Sequence, residues 1–126
     1  MTDSRKICPK GWHVPTYGEW TALEDYIGAG AAGGALKEAG TSHWLSPNTG
    51  ATNITGFTAL PGGYRSSNGE FPFDGIENLG SLGLRWSSTE FDANNLWRCT
   101  IGKYFNGLVM QEGVKKAGIS CRCIMD

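Results

Sequence analysis

The sequence predicts an α+β fold, and three observations predict it. A helix-start signal near residue 16 is followed by an amphipathic stripe. Short β-branched and aromatic runs crowd the second half. Turn chemistry built on Pro, Asn and Gly separates the two regions. Helices first and strands afterwards is the pattern of a domain that segregates its helices from an antiparallel sheet.

The first helix begins at Thr16-Tyr17-Gly18-Glu19. This reads as a capping box, in which the Thr16 hydroxyl accepts from the third-residue amide and Glu19 reaches back to the cap. Trp20, Leu23 and Ile27 recur at three and four, one apolar face of a short helix, and Gly28 and Gly30 end it. A second, weaker helix is expected over 31–39, with Leu36 inward and Gly40 just past its end. Its internal Gly33 and Gly34 cost ~1 kcal/mol each relative to Ala, so it must lean on tertiary packing. From Thr41 onward the signal changes. Pro47-Asn48-Thr49-Gly50 and Pro61-Gly62-Gly63 are turns, with Phe57–Leu60 a short strand between them. Ser66-Ser67-Asn68-Gly69 reads as a hairpin tip between Tyr64 and Phe71. Residues 73–84 are Gly-broken and expected to form a long loop. Four short antiparallel strands close the chain: Leu84–Ser88, Leu96–Ile101, Leu108–Met110 and Ile119–Ile124.

The chain has 126 residues, enough for one domain with a real core. Nineteen glycines and five tryptophans describe a loop-rich fold, and Trp12, Trp20, Trp44, Trp86 and Trp97 are all expected in the core. A net charge of −1 offers no basic field for nucleic acid. No apolar run approaches the ~18 residues of a membrane helix. The first seven residues have no apolar h-region, so the chain is cytosolic or an excised domain with an added start Met. We divide it into 1–7, a disordered or appended lead, and 8–126, a single domain. The four cysteines, at 8, 99, 121 and 123, allow three pairings. Cys121 and Cys123 form a C-x-C in a strand-like run, where neighbours two apart share a face. There is no second Cys pair at zinc spacing, and only His13 and His43 besides, so neither metal nor cofactor is expected.

Three phrases are distinctive: Cys8-Pro9-Lys10-Gly11-Trp12-His13-Val14-Pro15, Gly56-Phe57-Thr58-Ala59-Leu60-Pro61-Gly62-Gly63-Tyr64-Arg65, and Trp86-Ser87-Ser88-Thr89-Glu90. With the closing Gly118-Ile119-Ser120-Cys121-Arg122-Cys123 they closely resemble the Fibrobacter succinogenes major paralogous domain family, in order and in spacing. The resemblance implies a C-type-lectin-like fold: two helices, a small twisted antiparallel sheet, long loops and chain ends that meet. It implies a domain of a bacterial surface or secreted protein, hence an extracytoplasmic location. It implies that Cys8 and Cys123 bridge the first and last strands. Where members often carry Arg and Val, this chain has Cys99 and Cys121. A second disulfide between them is one reading if their strands are neighbours, and one chance thiol beside one small buried hydrophobe is the other. Arg85 stands where an aromatic is common.

The segment 91–117 departs most from the resemblance. Framework residues such as Trp86, Trp97, Gly118, Arg122 and Cys123 enclose positions that follow no period and no chemical theme. Such a mixture suits a contact surface. The expected ligand-binding residues are Arg98, Thr100, Lys103, Tyr104, Phe105, Asn106, Leu108, Met110, Gln111, Glu112 and Val114, with aromatics and Arg as anchors. The partner is a protein or a glycan, with no nucleic acid and no membrane insertion. Asn-rich counterparts of this stretch resemble targets of diversity-generating retroelements, and ordinary loop drift explains the same pattern. Other chemistry is weaker. Asp92, Asn94 and Asn95, and Asp74, Glu77 and Asn78, lack the loop signature of calcium lectins. The alternatives to recognition are an enzyme related to the formylglycine-generating-enzyme fold group, for which Cys99 with Cys121 is the candidate pair, and a purely structural surface module. His13 and His43 sit beside no nucleophile motif.

Overall fold

The computed structural model describes residues 6–71 and 79–126. The first five residues of the expected lead, and 72–78 within the expected loop, lie outside them. Seven elements follow in order: β1 (Trp12–His13), α1 (Tyr17–Ile27), α2 (Ala32–Leu36), β2 (Leu82–Glu90), β3 (Asn95–Gly102), β4 (Val109–Val114) and β5 (Ile124–Met125). β2, β3 and β4 form one antiparallel sheet in that order, and β1 pairs with β5 in a second. The molecule is therefore mixed α+β, as its sequence predicts.

Helix α1 forms where its cap is written. The Thr16 hydroxyl accepts from the Glu19 amide at 3.2 Å and the Glu19 carboxylate accepts from the Thr16 amide at 2.8 Å. Trp20 is buried, and Leu23 and Ile27 pack beside it. Helix α2 ends earlier than expected, at Leu36, because Lys37 leaves it with extended backbone to bridge Ala59. The Ala59 amide donates to Leu36 O at 2.8 Å and accepts at its own carbonyl from Glu38 N at 3.1 Å. The two glycines of α2 answer to close approach. A Cβ on Gly33 would run into the Gly107 carbonyl, and one on Gly34 into Asn106 Oδ1 and the Gly50 carbonyl. The core gathers Trp20, Ala32, Leu36, Trp44, Ala59, Cys99, Ile101 and Leu108. Fully burying a side chain such as Leu36 contributes about 1.5–3 kcal/mol, and the Trp44 indole keeps its polar tip satisfied by donating to Ala59 O at 2.9 Å.

Several expected strands are not strands. Across Phe57–Leu60 only Ala59 is bridged, because Asn53 Oδ1 accepts from Thr58 N at 2.7 Å and curls the chain into a turn. The Ser66–Gly69 turn closes through Ser66 N to Glu70 O at 2.8 Å, and Arg65 pairs with Gly118; the chain that would return along a hairpin beyond Phe71 lies outside the described residues. Residues 119–124 fail as one strand because this stretch changes partner every few residues. Gly118 bonds Arg65, Ser120 bonds β2 at Arg85, and Ile124 bonds His13 of β1. That last pairing brings the two ends of the domain together. Cys8 and Cys123 are disulfide-bonded with Cα atoms 5.8 Å apart, across 115 residues of sequence. In the chain-entropy account, closing so long a loop stabilises by ~4–5 kcal/mol.

Two of the five tryptophans are not core residues. Trp12 is 45 % exposed on the two-residue strand β1, and Trp97 is half-buried. β2 and β3 pair regularly from Leu82↔Gly102 to Trp86↔Arg98, then slip, so that three residues of β2 face Trp97 alone. The bulged residues turn to α1: Ser88 N donates to Pro15 O at 2.8 Å, and Tyr17 N donates to Thr89 Oγ1 at 2.9 Å.

Candidate functional site

Residues 91–117 form the β3–β4 hairpin and its two connections. Register sorts the expected contact residues onto two faces, because paired residues point the same way and neighbours alternate. Arg98 pairs with Gln111 and Trp86, and Thr100 with Val109 and Leu84, so these share one face. Cys99 pairs with Met110 and Arg85, and Trp97 with Glu112, so these share the other. On the first face the Arg98 stem lies beside the Trp86 ring: a Cβ on Gly113 would be 2.8 Å from Arg98 Cδ and 3.0 Å from Trp86 Cζ3. Gln111 Nε2 donates to the buried Thr100 hydroxyl at 3.0 Å. The Phe105 ring folds back over Gly102 toward Leu82 on this same face.

The connection between β3 and β4 is pinned from below at its backbone. Lys37 is 0 % exposed, and its Nζ donates to Thr49 O at 2.7 Å, Gly102 O at 2.9 Å and Phe105 O at 3.1 Å. All three ammonium donors are thereby used. Burial pushes the Lys37 ammonium down to about 8, while the three carbonyls and the Trp44 ring 5.5 Å away favour its charged form. Further bonds tie the loop. Lys103 N donates to Ser81 O at 3.0 Å, and Lys103 O accepts from Thr49 N at 2.8 Å. Asn106 O accepts from Gly34 N at 2.8 Å. On this anchored backbone Tyr104 stands 58 % exposed, with the Lys103 ammonium 4.7 Å from its ring centre.

The expected contact set is therefore partly redistributed. Tyr104, Glu112 and Val114 are exposed, and Arg98, Lys103, Phe105 and Gln111 are half-buried. Leu108 belongs to the core cluster and Met110 packs against it, so both serve the interior. Thr100 is buried beneath Gln111. Asn106 holds its Oδ1 buried against Gly34 and Gly50. Val109, outside the expected set, is exposed. With Leu108 and Met110 both inward, the period of a strand would have placed Val109 outward. A second exposed feature was missed. Trp97 contacts Tyr17 at 4.7 Å and Phe91 at 4.9 Å between ring centres, and both partners are exposed. Three elements contribute to that cluster, so no local run of sequence signals it.

Of the residues weighed for other chemistry, Asp74, Glu77 and Asn78 lie outside the described residues, and structure accounts for the others. The Asp92 carboxylate accepts from Asn95 Nδ2, Asn94 N and Asn95 N at 2.7–2.9 Å, which closes the β2–β3 turn and holds its pKa below the ordinary range. His13 Nδ1 lies 2.7 Å from Asp126 Oδ1 and its Nε2 3.0 Å from Glu19 Oε1, joining both chain ends to the α1 cap. His43 Nδ1 lies 2.9 Å from Glu38 Oε2. Cys99 and Cys121 are free thiols. Their second disulfide does not form, because β2 runs between them: Arg85 pairs with Cys99 on one side and Ser120 on the other. Two strand spacings make roughly 10 Å, beyond the ~7 Å limit of a disulfide. Burial pushes the Cys99 thiol up to about 12 and also raises Cys121, so neither presents a thiolate.

The profile of the family described as Fibrobacter succinogenes major domain matches residues 1–125. No curated protein and no solved structure matches the chain.

Proposed function

Because the chain belongs to the Fibrobacter succinogenes major domain family, we propose that it is a ligand-recognition domain with a C-type-lectin-like fold. The parent is a bacterial surface or secreted protein, and the Cys8–Cys123 disulfide suits that oxidising setting. The ligand is a protein or glycan, met by the Lys103–Tyr104 loop tip and the exposed residues of β4. One observation carries this reading. Tyr104 is exposed on a loop whose backbone is held by a buried ammonium and by three further inter-segment bonds. An aromatic anchor on a loop ordered before binding loses little conformational entropy on contact, which is how a small surface gains affinity. The raised pKa of Cys99 supports recognition over thiol catalysis at this site.

Retroelement diversification of this surface is part of the proposal in a narrowed form. The positions free to vary are Lys103 and Tyr104 at the loop tip and the exposed Glu112 and Val114. Thr100, Leu108 and Met110 are constrained by packing. The test is a panel of extracellular bacterial and host proteins together with a glycan array, probed with wild type and Tyr104→Ala. Binders lost in the variant support the reading. Binders kept in full by the variant would move the contact surface elsewhere.

A further inference from the structure

Arg85 is a cation that the fold buries and, among the described residues, leaves short of partners. It is 8 % exposed, and Nη2 donates to Leu60 O at 3.2 Å. Nη1 is buried and meets no acceptor among the described residues. No carboxylate pairs with Arg85 among the described residues; burial opposes its charge most, its strand neighbour Cys99 favours it, and Arg122 repels it. A second guanidinium shares an aromatic neighbour with it. The Arg122 Cζ is 4.4 Å from the centre of the Phe57 ring, and the Arg85 Cζ is 5.8 Å from the same centre. Ser120 is the bridge partner of Arg85, so the two side chains lie on the same side. Its Oγ comes within 3.3 Å of where a Cβ would stand on Gly62, two residues from the carbonyl that receives Arg85.

A buried charge without a partner costs several kcal/mol, and one carbonyl uses a single one of the five donors a guanidinium carries. Phe57 supplies ring quadrupole to both cations, worth far less than a counter-charge. What would balance two guanidiniums gathered on one ring is an oxyanion, whose lone pairs match the planar fork of Arg. We propose that Arg85 and Arg122, with Phe57 as the platform they share and Ser120 as the bridge partner of Arg85, bind the carboxylate of a small ligand. The site is on the margin of the sheet away from β4, so it is independent of the Lys103–Tyr104 surface.

The experiment is thermal unfolding of the full chain while sodium acetate replaces sodium chloride at constant ionic strength. It is run on wild type, Arg122→Gln, Arg85→Met and the distant surface control Lys116→Gln. Arg122 and Lys116 are exposed, so their variants fold whatever becomes of Arg85→Met. Wild type and Lys116→Gln are expected to gain about 4–6 °C once acetate exceeds its dissociation constant about tenfold. Arg122→Gln and Arg85→Met are expected to gain nothing. The same rise in all four proteins would mean a general effect of the salt and would overturn the site. So would an absent rise in wild type.

Discussion

Lys37 Nζ donates to the carbonyl of Phe105 at 3.1 Å across 68 residues of sequence. A side chain that leaves the end of α2 thereby fixes the far side of the loop on which Tyr104 is exposed. Replacing it tests how much of the fold depends on one ammonium. Lys37→Met keeps much of the volume but orphans the buried carbonyl of Gly102 and the part-buried ones of Thr49 and Phe105, at up to about 1–3 kcal/mol each when unpaired. The expected loss is about 3–5 kcal/mol, read by urea denaturation, with faster hydrogen exchange at residues 102–106 as its local signature.

The same residue gives the stability a defined pH dependence. Its folded pKa is depressed from 10.5 to about 8. Below about 8 the group is protonated in both states and contributes no slope. Between about 8 and 10.5 the unfolded chain holds a proton that the folded chain has released, so stability rises with pH. Subtracting the Lys37→Met curve removes the other alkaline titrations. The difference between the proteins should be flat from pH 6 to 7.5 and then change in favour of wild type up to pH 10.5. A flat difference throughout would mean that the three carbonyls hold the ammonium charged.

At Tyr104 binding and stability should separate. Its ring is exposed and touched by Lys103 alone among the ring contacts described. Tyr104→Ala should change folding stability by no more than ~0.5 kcal/mol, the usual range for a surface site. Phe105→Ala is the contrasting variant, because that ring covers Gly102 and Leu82 and its loss should lower Tm. Calorimetric unfolding of the two variants side by side distinguishes a presented aromatic from a packed one.

The glycines of α2 set helix propensity against packing. Gly34→Ala gains ~1 kcal/mol of propensity. The added methyl would enter space held by Asn106 Oδ1 and the Gly50 carbonyl, and backbone atoms yield little. Overpacking of this kind costs about 1–3 kcal/mol or more. Packing should win, so the variant should melt lower than wild type despite its better helix former.

What the sequence made legible follows the range of the interactions. Helix α1 was readable because Thr16, Glu19 and the stripe of Trp20, Leu23 and Ile27 lie within three turns of one another. The terminal disulfide came from resemblance, since three pairings fit the cysteines equally. The early stop of α2 was not readable, because Lys37 is drawn away by residues 49, 102 and 105. The broken final strand was not readable either, since its partners sit at 13, 65 and 85. Within the contact segment, alternation around Val109 was visible in principle. Which parity faced the core depended on strand order, and strand order also decided that Cys99 and Cys121 are kept apart.

The cysteines yield the last expectation. Alkylation after unfolding without reductant should label two thiols, and with reductant four, given one disulfide and two free cysteines. In the native state at pH 8, Cys99 should resist labelling for as long as the protein stays folded, because it is buried and its thiol is pushed up to about 12. Its labelling rate then reports opening of the core. Replacing Cys8 and Cys123 together with Ala should cost about 2–5 kcal/mol and raise that rate in proportion, because β1 and β5 pair over two residues each and lose their covalent tie. Prompt labelling of Cys99 in the intact protein would mean that the core around α1 and β3 opens without global unfolding.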